Sequence, residues 1–342
     1  MPDEALLLVT HSCYVEHDTG PGHPERPARL EAVVRGVSDA GLGEAVVHVP
    51  PRPATREELE AVHDPAYLQA VEQFCRAGGG ALDPDTVVSP ASWEAAVLAA
   101  GAVVDASERL GHGHGQAAFV AVRPPGHHAT ARRAMGFCLL NNVAVGAAAL
   151  AGRGERVLIV DWDAHHGNGT QEAFYHDGRV AYVSFHQWPF YPGTGRMEET
   201  GSGAGAGWTL NVPFPAGTTG DAYLAGFDEL VAPLAERFDP TWVIVSAGFD
   251  AHRDDPLTDL GLSAGDFTDL AARVMTLAPP GRRIAVLEGG YDLAALASSA
   301  GACAAAMTGR TFRPEPATSG GPGRQVVDRV RRFRDGLGLD DA

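Results

Sequence analysis

Four short segments of the sequence carry side chains suited to acid–base and metal chemistry, and each follows an apolar, β-branched run. The segments are RPPGHH (123–128), DWDAHHGNG (161–169), AGFD (247–250) and EGGY (288–291). In open α/β sheets, ligands bind beyond the carboxyl ends of the strands. If the preceding runs are neighbouring strands, we expect these four segments to line one site.

The pattern Asp163-x-His165 indicates a metal site. Residues two apart at a strand exit point the same way, so both side chains can face one ion, and Asp250 offers a third ligand. Two carboxylates and one imidazole, with a position left open for water, suit catalytic Zn²⁺. Fe²⁺ or Co²⁺ would accept the same donors, since ligand type alone does not select among these metals. An isolated Asp-x-His more often caps a helix, and the other three segments favour the metal interpretation.

The adjacent histidines His127 and His128 follow a Pro-Pro-Gly turn and could serve as general base and general acid. Each imidazole needs an orienting partner on its far nitrogen, and Asp161 and Asn168 are the candidates. Tyr291 follows two glycines, so its hydroxyl could reach a developing oxyanion. Together these residue types indicate acid–base chemistry beside a metal ion.

The surrounding sequence alternates between apolar runs and helical patterns. The predicted strands are 6–10, 46–49, 118–122, 157–161, 180–185, 208–212, 242–246 and 284–287. The predicted helices are 65–76, 92–110, 142–151, 221–237, 263–277 and 293–307. Strands that are apolar throughout are typical of a sheet covered on both faces. The pattern predicts an open, doubly wound, mostly parallel α/β sheet of eight strands with helices on both faces.

The length and the net charge of the chain limit its domain organisation and the partners that it can bind. We expect one domain over 1–313, followed by a flexible Pro/Gly segment and a terminal amphipathic helix over 314–342. The 342 residues include 43 acidic and 26 basic side chains, a net charge of −17, which argues against binding to nucleic-acid phosphates. We predict no membrane association, and the four widely spaced cysteines favour a reducing cytoplasm.

Seven motifs, in this order, resemble those of the histone deacetylase superfamily, and most nearly its class II and bacterial deacetylase-like amidohydrolases. They are HPERPARL (23–30), RPPGHHA (123–129), MGFCLLNN (135–142), VDWDAHHGNGT (160–170), FYPGTG (190–195), SAGFDAHRDDPL (246–257) and EGGYDL (288–293). The resemblance covers about 23–293 and implies the arginase/deacetylase fold. It also implies a zinc-dependent deacetylase that hydrolyses an acylated amine, such as acyl-lysine, to free amine and carboxylate.

The resemblance assigns roles to individual positions. The implied metal ligands are Asp163, His165 and Asp250. The implied catalytic residues are the tandem His127 and His128, their partners Asp161 and Asn168 (Asn is the class II form), and the transition-state tyrosine Tyr291. The implied substrate-binding residues are Gly136 and Phe137 on one channel wall, Tyr191 on the other, Leu257 at the rim, the rim carboxylate Asp85, and Arg26 as a basic residue deep below the metal.

The family also binds structural K⁺. The implied ligands of a first potassium ion are Asp161, Asp163, His165, Ser184 and Phe185. A second potassium ion would lie near backbone oxygens of Phe174, Asp177, Val180 and Trp208.

Three alternatives remain at this stage. Polyamine-selective relatives place an acidic gatekeeper where Leu257 stands, so an acetylpolyamine amidohydrolase is the less favoured substrate assignment. A binuclear manganese ureohydrolase would need further carboxylates after His165, where the chain has His, Gly and Asn. A silent acyl-ligand sensor would most simply lack the tyrosine or a catalytic histidine, and both are present. Acyl-chain preference and homo-oligomer formation stay open.

Overall fold

The computed structural model describes residues 5–339, and the eight predicted apolar runs in this range all form strands. The ten strands are β1 (Leu6–Val9), β2 (Val46–Val49), β3 (Gly80–Asp83), β4 (Thr86–Val88), β5 (Ala117–Val120), β6 (Val157–Asp161), β7 (Val180–Gln187), β8 (Thr209–Phe214), β9 (Trp242–Ala247) and β10 (Arg283–Leu287). Eight of them form one sheet in the order β2-β1-β5-β10-β9-β6-β7-β8. Every neighbouring pair in this sheet is parallel. The predicted eight-stranded parallel sheet is confirmed.

The central strands are buried on both faces, as their unbroken apolar sequences require. All residues of β1, β5, β6, β7 and β9 are buried. Their register aligns the carboxyl ends, because Asp161 on β6 pairs with Ser184 on β7 and with Ser246 on β9. The polar segments that follow these strands therefore start at one edge of the sheet.

Eleven α-helices lie among the residues that the structure describes. They are α1 (Ala28–Asp39), α2 (Arg56–Glu60), α3 (Pro65–Arg76), α4 (Ser92–Gly111), α5 (Asn142–Gly152), α6 (Asn168–Phe174), α7 (Gly220–Gly226), α8 (Ala232–Phe238), α9 (Ala264–Val274), α10 (Leu293–Met307) and α11 (Arg324–Gly336). The helix expected over 221–237 is interrupted by a π-helical turn, Phe227–Val231. Helices α1, α2 and α6 were not predicted. Helices α1, α10 and α9 pack side by side, and α4 and α5 form a separate pair.

The small antiparallel sheet of β3 and β4 was also not predicted. Strand β3 begins in a run of three glycines, and the two strands are only four and three residues long, so neither shows the longer apolar run from which a strand is predicted. Asp85, a predicted rim residue, lies at the turn of this hairpin.

The chain beyond residue 313 is packed against the rest of the protein. The predicted terminal helix is α11, which contacts α7 and β8 and buries Val326, Val327 and Val330. In the Pro/Gly segment before it, Thr318 N–H donates to Asp266 Oδ1 at 3.0 Å. The domain boundary at residue 313 and the flexibility of this segment stay predictions.

Among residues 5–339, no helix is both long and apolar enough to cross a membrane.

Helices α1 and α10 touch through their backbones. A Cβ atom on Gly36 would lie 1.9 Å from the carbonyl oxygen of Ala297, and a Cβ on Gly301 would lie 2.3 Å from the carbonyl oxygen of Gly36. This close approach fixes α1, which carries the buried Arg29 discussed below.

We predict that Gly36→Ala lowers the free energy of unfolding by about 1–3 kcal/mol, because the added methyl group forces the two backbones apart. Urea denaturation measures the difference. Gly111→Ala, also in a helix but with nothing within 4 Å of the added Cβ, is the matched control and should change stability little. Equal denaturation midpoints for Gly36→Ala and the parent would contradict the packing argument.

Candidate active site

Three candidate metal ligands meet at the carboxyl ends of β6 and β9. Their donor atoms all lie within 4.8 Å of one another. The Nδ1 atom of His165 is 3.2 Å from Asp163 Oδ1 and 2.9 Å from Asp250 Oδ2. Both aspartates are fully buried. Adjacent parallel strands thus bring together residues that lie 87 positions apart (163 to 250) in the sequence.

Backbone amides hold the two carboxylates in place. Gly289 N–H donates to Asp163 Oδ2 at 2.8 Å, and Ala164 N–H donates to Asp250 Oδ1 at 2.8 Å. A Cβ on Gly248 would lie 2.0 Å from Asp163 Oδ2, so only glycine fits there. The other oxygens face the imidazole of His165. Such a donor set, oriented by surrounding hydrogen bonds, fits a divalent cation such as zinc.

The electrostatics of this centre favour a cation. Burial and the neighbouring Asp163 carboxylate raise the pKa of Asp250 to about 7. Burial alone would also raise the pKa of Asp163, but the imidazoles of His127 and His165 hold it well below its usual range. Two buried carboxylates this close repel each other, and a shared cation removes that repulsion.

The tandem histidines follow β5 and lie beside the ligand cluster. His127 Nδ1 is 3.1 Å from Asp161 Oδ2, and His128 Nδ1 is 2.9 Å from Asn168 Oδ1. The two ring centres are 4.0 Å apart. The hydroxyl of Tyr182 also donates to Asp161 Oδ2, at 3.0 Å. Each histidine therefore has the orienting partner expected from the sequence.

The two histidines differ in charge. Burial disfavours the imidazolium of His127, but the carboxylates of Asp163 and Asp161 outweigh it and raise the pKa of His127 to about 10. For His128, burial is the main cause that lowers the pKa well below its usual value, and the neighbouring imidazoles of His127 and His165 act in the same direction. The Nδ1–H of His128 donates to the Asn168 carbonyl oxygen, so Nε2 of His128 carries the available lone pair.

Tyr291 lies on the loop that follows β10. Its ring packs edge-to-face on Phe137 with centres 5.7 Å apart, and its backbone N–H donates to Asp255 Oδ2 at 2.7 Å. Burial is the largest of the influences that raise the pKa of Tyr291 well above its usual value. The phenol therefore stays protonated and can donate a hydrogen bond.

Aromatic side chains border the approach to the histidines. Phe137 has a positive φ of 67°, and its N–H donates to Thr86 Oγ1 at 3.1 Å. A Cβ on Gly136 would lie 2.4 Å from the ring of His128. The ring of Tyr191, which is 37% exposed, lies 5.1 Å from the ring of His128.

The predicted rim residues lie on separate segments. The carbonyl oxygen of Asp85 accepts from His23 Nε2–H at 3.1 Å, and the ring of His23 packs on Phe137 with centres 4.8 Å apart. Leu257 is half-buried, and its N–H donates to Asp255 Oδ1 at 3.0 Å. Contact of Asp85 or Leu257 with a substrate stays a prediction.

The placement of Arg26 below the metal is wrong. Arg26 is exposed and precedes α1, whereas Arg29 is fully buried. Arg29 shares a helix face with the buried Val33 and Val37, which explains why it points inwards. Its guanidinium carbon lies 4.8 Å from the centre of the Tyr291 ring.

The two potassium sites stay predictions. Residues of the first site lie together at the ends of β6 and β7, where Asp161 pairs with Ser184. Ser184 Oγ is also 2.9 Å from His186 Nδ1. Residues of the second site surround the connection from α6 to β7, where Asp177 N–H donates to the carbonyl oxygen of Phe174.

Several site residues were missed from the sequence. The ring of Phe190 lies 5.4 Å from the ring of His165. The buried carboxylate of Glu288 accepts from Gly126 N–H at 2.7 Å and from His127 N–H at 3.1 Å. A charged residue at the end of an otherwise apolar strand was the available signal for Glu288.

A second cluster, formed by His252, Asp254 and Glu315, also has metal-binding side chains. Its Glu315 carboxylate is already paired with His252 and Arg253.

The chain is similar in sequence and fold to proteins of one family. The family model described as the histone deacetylase domain matches residues 23–307. A probable deacetylase of Archaeoglobus fulgidus is 40% identical over 292 residues, covering 84% of this chain and 81% of that protein. Histone deacetylase 15 of Arabidopsis thaliana is 41% identical over 90% of this chain, which spans only 56% of that protein's length. The crystal structure of the HDA15 HD domain superposes with a TM-score of 0.89 at 36% identity, covering 99% of this chain and 98% of that one.

We predict that Asp250→Ala lowers bound zinc more than tenfold, because it removes one of three converging donors and leaves the Asp163 carboxylate without a shared cation. Elemental analysis after zinc loading and desalting measures the metal content. The matched control is Asp259→Ala, an exposed aspartate of the same segment, which should keep the parent's zinc content. Full zinc content in folded Asp250→Ala would contradict the ligand assignment.

Proposed function

Because the chain belongs to the histone deacetylase family and is therefore a deacetylase, we propose that it is a zinc-dependent amidohydrolase whose substrates are acylated amines, acyl-lysine above all. One observation carries this proposal. The donor atoms of Asp163, His165 and Asp250 lie within 4.8 Å of one another. The ring centre of His128 lies 6.0 Å from that of His165, and Tyr291 follows β10, the strand beside β9.

Asp163, His165 and Asp250 are the residues that would hold the zinc ion. The chemistry that the ion supplies when bound is Lewis-acid polarisation of the acyl carbonyl and of the attacking water. The amide donors from Gly289 and Ala164 keep both carboxylates oriented. We also propose that potassium binds beside this centre, where the pairing of Asp161 with Ser184 aligns β6 and β7.

His128 is the proposed general base. Its low pKa leaves Nε2 free to take the proton of the attacking water. The charged His127, with its ring centre 4.0 Å away, then makes the newly formed imidazolium on His128 a stronger acid. That imidazolium can protonate the departing amine. His128 therefore acts in both halves of the reaction, and His127 increases the acidity of its imidazolium.

Tyr291 is the proposed oxyanion donor. Its raised pKa keeps the proton on the phenol during attack, and contact with Phe137 limits where the ring can move. A hydrogen bond that forms only as the carbonyl oxygen becomes negative lowers the barrier without tightening substrate binding.

The substrate assignment depends on the approach to this centre. Phe137 and Tyr191 present aromatic faces suited to the alkyl chain of an acylated amine. The apolar Leu257 offers no charge to a second amine of a polyamine. These features favour acyl-lysine over an acetylpolyamine.

A reducing cytoplasm is the proposed compartment. Cys13, Cys75, Cys138 and Cys303 are all free thiols, which is typical of chains kept in reducing surroundings.

We predict that Tyr291→Phe lowers kcat about 100-fold or more with bound zinc unchanged, because loss of one oxyanion donor costs about 2.7–4 kcal/mol. Turnover of a fluorogenic acetyl-lysine amide and its inhibition by a hydroxamate measure the effect. Tyr175→Phe is the matched control, because Tyr175 follows the last residue of α6 and its ring packs on His176. A kcat within fivefold of the parent would remove Tyr291 from the mechanism. Hydroxamate binding by a parent that turns over no acyl substrate would instead favour a ligand sensor.

We predict that kcat/KM for an acetyl-lysine peptide exceeds that for N-acetylputrescine at least tenfold. Introducing an acidic side chain by Leu257→Glu should narrow this ratio, since it adds a partner for the free ammonium of the polyamine. Parallel assays of both substrates on both proteins provide the test. A parent that prefers N-acetylputrescine would contradict the substrate assignment and leave the reaction class intact.

A further inference from the structure

The loop that carries the tandem histidines and the loop that carries Tyr291 leave neighbouring strands, β5 and β10. Within the described residues, no backbone-to-backbone hydrogen bond joins 121–128 to 288–292. The distance between the base and the oxyanion donor is therefore set by side chains.

Glu288 makes the direct connection. It lies on the Tyr291 loop, and its carboxylate accepts from the N–H groups of Gly126 and His127 on the histidine loop. This bond reaches only the start of the Tyr291 loop, three residues before the tyrosine.

A second connection runs through Glu25. Arg123, at the start of the histidine loop, donates from Nε to Glu25 Oε1 at 2.6 Å and from Nη2 to Glu25 Oε2 at 2.7 Å. Arg29 donates from Nη1 to the same Glu25 Oε1 at 3.2 Å. One carboxylate thus bridges two guanidinium groups, and all three side chains are fully buried.

Arg29 carries the connection to the tyrosine. Its Nε–H donates to the carbonyl oxygen of Gly290 at 2.6 Å, and its Nη2–H donates to the carbonyl oxygen of Glu288 at 2.5 Å. Its guanidinium carbon lies 4.8 Å from the centre of the Tyr291 ring. The Tyr291 loop is therefore held on both sides of Gly289 by the guanidinium of Arg29, whose own position depends on Glu25.

We propose that Glu25 is a positioning residue for the reaction: by bridging Arg123 and Arg29, it sets the relative position of the histidine loop and the Tyr291 loop. Buried ion pairs add little net stability compared with apolar packing, so a positional role accounts better for three buried charges beside the two loops. The proposal rests on the proposed function, because the base and the phenol must both reach one acyl group. A misplacement of about 1 Å can cost on the order of 100-fold in rate.

Three variants test this role: Glu25→Gln, Arg123→Gln and the double variant. Arg123→Gln keeps the pair of Glu25 and Arg29, and it also removes the bonds from the Arg123 guanidinium to the carbonyl oxygens of Tyr14 and His17. We expect kcat to fall at least tenfold in each single variant, with KM within threefold of the parent and zinc content unchanged. Both single variants break the same connection between Arg123 and Arg29. The kcat of the double variant should therefore be within about threefold of the kcat of the slower single variant.

The assay separates positioning from stability. Rates are divided by the concentration of active sites, titrated with a tight hydroxamate, so that loss of folded protein does not count as loss of kcat. The control is Asp266→Asn, which also converts a fully buried carboxylate to an amide. Asp266 accepts from Ser263 N–H and Thr318 Oγ1–H rather than from either catalytic loop, so its kcat should stay within twofold of the parent.

Each outcome decides the proposal. A kcat per titrated site within twofold of the parent in Glu25→Gln and Arg123→Gln overturns it, as do strictly multiplicative effects in the double variant. If Glu25→Gln cannot be purified folded, Arg123→Gln decides by the same thresholds. An inactive parent would overturn the proposed function and this role together, whereas an active parent with unaffected variants overturns the positioning role alone.

Discussion

Two buried carboxylates that face one imidazole are the constraint on which the rest of the site depends. Asp163 and Asp250 have no access to water, and their mutual repulsion would expel one of them without compensating partners. The fold supplies those partners in fixed positions: amide N–H groups on the outer oxygens and His165 between the inner ones. Glycines at 248 and 289 are required because any side chain there would occupy the space of the carboxylates.

The charged groups of the site also give the two tandem histidines different protonation states. His127 faces two aspartates and stays charged, whereas His128 faces an amide and two other imidazoles and stays neutral. Neither residue type nor sequence position distinguishes these adjacent histidines. The difference comes from the groups that lie opposite each ring, which are Asp161 for His127 and Asn168 for His128.

The sequence predicts the strands well because strands buried on both faces are apolar along their whole length, and it predicts the polar groups at their ends. It does not reveal which segments pack beside each other. Arg26 and Arg29 occupy the same motif, but Arg26 precedes α1, whereas Arg29 lies within α1 on the face of the buried Val33 and Val37. The hairpin of β3 and β4 depends on tertiary packing, and local strand propensity does not predict it. The contacts of Glu288 also depend on tertiary packing, and their one signal in the sequence is a charged residue at the end of an apolar strand.

Sheet order explains why these parts work together. From β5 through β10, β9 and β6 to β7, consecutive strand ends lead to the histidine loop, the Tyr291 loop, Asp250, the Asp163–His165 pair and the aromatic residues Phe190 and Tyr191. In the sequence these segments occur in a different order and are separated by whole helices. A parallel sheet brings them to one edge, but strand pairing stops at the strand ends. Beyond that point the spacing between loops depends on buried side chains, and the charges of Glu25, Glu288 and the two arginines lie where the strand hydrogen bonds end.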